Sequence, residues 1–288
     1  MARMNTVFLH GQVLADPTIV YDEMGIAKKG KITIGVMRRF YSFASLVDNT
    51  GSRLQNDLLS EVQLDAPTII TADEELLEIM ATLRKGDMCD VKGVVTTKTV
   101  SKIFICKECS KKTRLQGQIT FVTPQYLCRR EREVSPEQAR ELLEQRKEIS
   151  NVVEIIGTLC KDVEFYAGET VNLNNASYQI AVNRRIRLND DALDERTDYP
   201  HVRVFGKKAK MDSECLSVNS TVLIKGSLQT KIIKRKTVCS HCGFPCEMED
   251  KVTNIVSEYT GYLENFTLPN KEKTVDEVEG VSESEFAE

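Results

Sequence analysis

The sequence predicts an all-β chain with minor helix, in which one small domain is used twice in tandem. The first observation behind this is an internal repeat. Asn5-Thr-Val-Phe-Leu-His-Gly11 returns as Asn151-Val-Val-Glu-Ile-Ile-Gly157. Asp16 matches Asp162, Val36 matches Val182 and Arg38-Arg39 matches Arg184-Arg185, all at an offset of 146 positions. Later pairs share an offset of 133: Lys92-Gly93 with Lys225-Gly226, Thr97-Lys98 with Thr230-Lys231, and Cys106 and Cys109 with Cys239 and Cys242. A repeat that keeps its order and changes spacing once is a tandem duplication with a loop of different length. The second observation is period-two alternation (Ile32, Ile34, Val36; Tyr178, Ile180, Val182), the pattern of half-buried strands. The third is composition: 41% hydrophobic and 28% charged residues support a packed core. No apolar run approaches the ~20 residues of a bilayer span, which argues against a membrane protein.

Each copy reads as the same series of elements. Residues 6–14 and 152–159 form a first strand, 31–39 and 177–185 a second, and 60–64 and 201–205 a third. Thr71-Ala-Asp-Glu74 reads as a capping box opening a helix with Leu76, Leu77, Met80 and Leu83 on one face. Residues 88–99 and 221–233 are long fourth strands around Gly93 and Gly226, and 119–122 and 252–259 are the fifth. Three strands, a helix and two strands is the order of a five-stranded Greek-key OB barrel, and glycines mark the tight bends of so small a barrel. Ser135-Pro136-Glu137 starts a linker helix, with serine as cap and proline at the first position. The expected domains are therefore 1–133, a helical linker over 134–150, 151–268, and a disordered acidic tail over 269–288.

The net charge of −4 is unevenly spread: the last twenty residues hold 2 Lys/Arg against 7 Asp/Glu. The rest is near neutral with local basic clusters, and local clusters decide whether a polyanion binds. The first residues carry no basic-then-apolar leader, so a cytoplasmic protein is expected. Its nine cysteines are then reduced thiols or metal ligands rather than disulfides. No phosphate loop, nucleophile elbow or paired-carboxylate motif appears among these residues, and the chain reads as a non-enzyme.

Asn5-Thr-Val-Phe-Leu-His-Gly-Gln-Val-Leu-Ala-Asp-Pro17 resembles the opening strand of bacterial single-stranded DNA-binding proteins, and Tyr21 stands in their usual place. The second copy keeps Asn151, Gly157 and Asp162, with Val163 in place of the proline. Tyr199-Pro-His-Val-Arg-Val-Phe-Gly206 resembles the family's third strand and Gly226-Ser-Leu-Gln-Thr-Lys231 its fourth. The resemblance implies sequence-independent binding and protection of single-stranded DNA in replication, recombination or DNA transfer. It also implies a homodimer or higher oligomer, and an acidic tail, with Phe286, that recruits replication or recombination proteins. The chain departs from the family in lacking tryptophan, in carrying Cys-x-x-Cys pairs, and in ending Ser-Glu-Ser-Glu-Phe286-Ala-Glu288 without a closing Pro-Phe. These departures suggest a divergent form carried by a phage or conjugative element. The alternatives are an RNA-binding OB protein and a protein-interaction scaffold.

Binding a single strand without sequence preference needs cations along the backbone and aromatic faces for the bases. The candidate cations are Lys28, Lys29, Lys31, Arg38, Arg39, Lys98 and Lys102 in the first copy. In the second they are Arg184, Arg185, Arg187, Arg203, Lys231, Lys234, Arg235 and Lys236. The Arg38-Arg39 and Arg184-Arg185 pairs end the second strand of each copy, as groove cations or as plain solvated strand ends. Phe40, Tyr41 and Phe43 form an aromatic cluster that is either core or a stacking surface. Tyr178 and Tyr199 are the stacking candidates of the second copy, where Phe205 reads as core.

Cys106-x-x-Cys109 and Cys239-x-x-Cys242-x-x-x-Cys246 fall between strands four and five. Cys-x-x-Cys turns supply two ligands each to tetrahedral zinc. Neither copy supplies a complete set of four cysteine ligands. Cys128 is a further candidate in the first copy, and His241 or an acid in the second. The two pairs sharing one structural zinc, or remaining thiols, are the other options.

Overall fold

The computed structural model describes residues 4–38, 64–184 and 197–268. The tail expected to be disordered, 269–288, lies outside the described residues.

In the first half, β1 (Asn5–Val13) pairs with β3 (Ala27–Met37), and β2 (Thr18–Tyr21) extends the sheet beside β3. A short β4 (Leu64–Asp65) leads to β5 (Thr68–Thr71), which pairs with β3. After α1 (Glu74–Thr82) come two long strands, β6 (Met88–Ile105) and β7 (Lys112–Glu131). Strand β6 returns to β1, and β5 meets β7 in parallel at Ile69 and Val122. The ring β1–β3–β5–β7–β6 is therefore closed, as an OB barrel requires.

A linker of α2 (Pro136–Gln145) and α3 (Lys147–Ser150) follows, with Ser135 as the expected cap; the structure adds a reciprocal capping box between Ser135 and Gln138. The second half repeats the plan with β8 (Asn151–Leu159), β9 (Glu164–Tyr166), β10 (Asn175–Asn183), β11 (Thr197–Asp198) and β12 (His201–Phe205). Helix α4 (Lys207–Cys215) precedes β13 (Thr221–Val238) and β14 (Pro245–Glu264). The ring β8–β10–β12–β14–β13 closes through a parallel pairing of Val202 with Ile255.

Three expectations need correction. The third barrel strand of the first copy is Thr68–Thr71, later than the expected 60–64, of which 60–63 lie outside the described residues; it starts after Pro67, the counterpart of Pro200 before β12. The cap of α1 is Asp73, which accepts from the Leu76 N–H, while Thr71 closes β5 and accepts from Asp73 N. Strands four and five run far past the barrels as hairpin arms, whose ladders stay paired to the turn, Ile105 with Lys112 and Val238 with Pro245.

The opening asparagine of each repeat has a structural purpose. Asn5 donates to Val95 O at 2.9 Å and accepts from Val95 N at 2.8 Å. Asn151 does the same with Leu228, both at 2.8 Å. Each side chain thus splices strand one to strand four. Replacing the buried Asn151 with alanine leaves a backbone N–H and C=O unpaired, so a loss of about 2 kcal/mol is expected in urea unfolding.

The two barrels share one sheet. Strands β1 and β8 pair antiparallel, with Val7 opposite Val153. Two reciprocal clasps add to this. Asp65, paired with Arg38 at 2.5 Å, accepts from the Thr230 N–H of the other half. Asp198, paired with Arg184 at 2.6 Å, accepts from the Thr97 N–H of the first half. Among the described residues no helix is long and apolar enough to cross a membrane.

Candidate nucleic-acid interface and cysteine centre

A cleft of about 410 Å³ opens beside the second barrel. Its floor is the outward face of β10 and β12, where alternation sets Ser177, His201 and Arg203 toward the solvent side. Its basic wall is β13, through Lys231 and Arg235, and Tyr166 of β9 stands at its margin. Gln118 and Thr120, from the arm of the first half, form the opposite side. Gln118 is anchored there: it donates to the Tyr199 carbonyl at 3.2 Å and accepts from Gln179 at 3.3 Å. The cleft is thus built by both halves.

Of the predicted cations the cleft gathers Arg203, Lys231 and Arg235. Arg203 stacks over Phe205, 5.2 Å from the ring centroid. Arg235 shares Asp250 with Lys102 of the first half, at 2.8 Å for the arginine. Lys234 and Lys236 project from the opposite face of β13 and are exposed, and Tyr199 is exposed beside the cleft. His201, Tyr166, Gln118 and Thr120 were not among the sequence candidates. For His201 the signal was available, since it stands two residues before Arg203 on one strand face.

The same surface of the first half can be read by the repeat offsets. Lys29 and Lys31 take the positions of Asn175 and Ser177, Lys98 that of Lys231, and Lys251 that of Gln118. Lys251 comes from the second half's arm; desolvation, then the nearby Lys31 charge, push its ammonium below the usual lysine range. Lys31 is exposed, and Lys29 and Lys98 are half-buried. Lys28 pairs with Asp22 at 3.4 Å on the adjoining turn.

Three expected contacts are corrected by burial. Arg38 and Arg184 are only 2% and 4% exposed, held in the clasps, and do not line a groove. A cation kept from water by a carboxylate pairs inside the fold instead of tracking phosphates. Tyr178 is 3% exposed and donates to Asp212 at 3.0 Å, so its ring belongs to the core. Arg39, Phe40, Tyr41, Phe43, Arg185, Arg187 and Phe286 lie outside the described residues.

The arm tips meet. Cys106, Cys109, Cys239 and Cys242 hold their sulfurs within 4.8 Å of one another. The turns that carry them match: Ser110 N donates to Cys106 O at 2.9 Å, and Gly243 N to Cys239 O at 3.0 Å. Ser110 and Gly243 take φ values of 55° and 73°, the left-handed step that brings the second cysteine back beside the first. The Thr113 hydroxyl and the His241 N–H hold the Cys239 thiol down, at about 5. The Cys109 and Glu108 N–H groups lower that of Cys106. Two candidates fall outside the group. Cys128 sits on the barrel part of β7, opposite Asp90 of β6, because strand five extends so far beyond it. Cys246 touches Cys106 at 3.8 Å but does not join the mutual set of four. His241 bonds the Lys112 carbonyl through Nε2, at 3.2 Å.

Comparison with known proteins bears on the whole arrangement. Residues 150–242 match the sequence profile of the single-strand binding protein family. A search among curated protein sequences finds no match. A deletion variant of the single-stranded DNA-binding protein from Thermus aquaticus superposes with a TM-score of 0.55 at 17% identity, covering 94% of this chain and 100% of that one. The wild-type Thermus aquaticus protein gives a TM-score of 0.52 at 16% identity, covering 93% of this chain and 97% of that one. The family profile matches residues 150–242, and the fold shared with the Thermus aquaticus proteins extends well beyond them, over most of the chain.

Proposed function

We propose that this protein coats single-stranded DNA without sequence preference, in the cytoplasm, during replication, recombination or DNA transfer. The match of residues 150–242 to the single-strand binding protein family supports a binding protein rather than an enzyme. The observation that carries the reading is the cleft, where Arg203, Lys231 and Arg235 of one barrel converge on an open, polar trough. Its counterpart with Lys29, Lys31, Lys98 and Lys251 gives the first barrel a basic face of its own. Phosphates would follow these cations, and the exposed rings of Tyr166 and Tyr199 offer faces for bases. In this reading 1–133 and 151–268 are the two binding domains of a homodimer or larger assembly. The acidic segment after 268, with Phe286, recruits replication or recombination proteins. A structural zinc at the arm tips is part of the same reading, because four soft thiols are the donor set that zinc prefers.

Titration with oligo(dT), matched duplex and oligo(U) at two salt concentrations tests it. Tight binding of oligo(dT) that weakens with salt is expected. Replacing Arg203 and Lys231 together with alanine should reduce the slope of log K against log salt by about 1.4, since each single-strand phosphate contact contributes about 0.7. Equal binding of oligo(U) would move the function to RNA, and salt-insensitive or absent binding would make the barrels protein-contact modules.

A further inference from the structure

The four cysteines at the arm tips are arranged across the halves, not within them. The short sulfur contacts are Cys106 to Cys242, 3.7 Å, and Cys109 to Cys239, 3.6 Å. Four sulfurs bound to one zinc at about 2.3 Å form a tetrahedron with edges of about 3.8 Å. A disulfide would need about 2.05 Å, and thiols with no common partner have no reason to crowd in this way. Other contacts cross at the same point. Thr113 of the first half lies 3.4 Å from the Cys239 sulfur, and His241 of the second reaches the Lys112 carbonyl. Just below, Asp250 of the second half holds both Lys102 and Arg235.

We infer that each chain holds one metal ion of the zinc class, bound by two thiolates from each half, and that this ion straps the two hairpin arms together. The inference rests on the zinc reading above and sharpens it: one shared site replaces two incomplete ones. It also explains why neither copy carries a full set of ligands. Selection for a single site asks only two cysteines of each arm. Cys246, although close to Cys106, is not a ligand. The strap lies only a few residues beyond Arg235, about 13 Å along the strand, so it fixes the arm that forms the wall of the cleft.

Metal content of the full chain, measured by atomic emission, gives the first test: one zinc per chain is expected. The paired variants Cys106→Ser with Cys109→Ser, and Cys239→Ser with Cys242→Ser, should each lose all of it, whereas Cys246→Ser keeps it. Two ions per chain, or one pair variant that retains its ion, would overturn the shared site while leaving zinc binding in place. No metal in freshly purified, zinc-supplemented protein would overturn both. Trypsin gives a readout that does not depend on the variants folding. Chelation of the unmutated chain should open Lys107, Lys111 and Lys112 to cleavage, and restored zinc should close them. Cleavage unchanged by chelation would show that the ion does not tie the arms. None of these outcomes depends on DNA binding, so the strand-binding reading stands or falls separately.

Discussion

Arg184→Ala is expected to destabilise the protein by about 3–5 kcal/mol, because it leaves Asp198 buried, charged and without its cation. Arg38→Ala should do the same through Asp65. Both carboxyls already sit high, at about 6 against an ordinary 3.8, since burial outweighs the pull of the arginine and of the N–H groups they accept from. Removing the guanidinium raises the carboxyl further, which fixes the sign of the pH response. A carboxyl whose folded pKa lies above its unfolded one is best tolerated below about 4, and the stability is lost as pH rises through the folded value. The variant should therefore recover part of its deficit between pH 8 and pH 5. Denaturant unfolding at the two pH values checks this. Equal stability of variant and parent at pH 8 would return Arg184 to the surface.

Gly226→Ala is the second large effect. A methyl there would stand 2.0 Å from the Val256 carbonyl oxygen, and at Gly93 2.2 Å from that of Thr123. Backbone atoms cannot turn away as a side-chain tip can, so strands four and five must separate at their bulge. A cost of about 3 kcal/mol is expected, at the upper end of overpacking. Unfolding midpoints and binding of oligo(dT) should fall together for Gly226→Ala, whose bulge aims the arm that forms the cleft. Gly243→Ala, in an open turn at φ 73°, serves as the milder comparison.

Much of this fold was legible in the residues. The repeat with its two offsets gave the paired barrels, and alternation with two glycines located strands one, two, four and five. What escaped depends on packing between distant segments. Arg38-Arg39 and Arg184-Arg185 repeat in sequence, and repetition at a strand end looks like a binding surface. Their partners Asp65 and Asp198 repeat too, at the second offset, but nothing local says that a carboxylate arriving from a later turn will bury the arginine. The cysteines show the same limit. Each Cys-x-x-Cys turn is readable alone, whereas the meeting of two tips is set by arms whose length the alternation underestimated. The cleft was half legible: its own-strand cations were evident, and the arm from the other half, carrying Gln118 and Thr120, was not.

The reciprocal clasps also govern how the chain is made. Asp65 and its partner Thr230 are separated by 165 positions. At synthesis rates of about 5–20 residues per second, the first half waits roughly ten to thirty seconds on the ribosome before that partner emerges. Until then Arg38 and Asp65 have nothing to cover them from the second half, and the edge of β1 has no β8 to pair with. A nascent first barrel is thus an unfinished object with a sticky strand edge, open to pairing with a neighbouring nascent chain. The chain's maturation is timed by its own translation, and slow codons or a stalled ribosome between the halves would favour swapped assemblies over the native one.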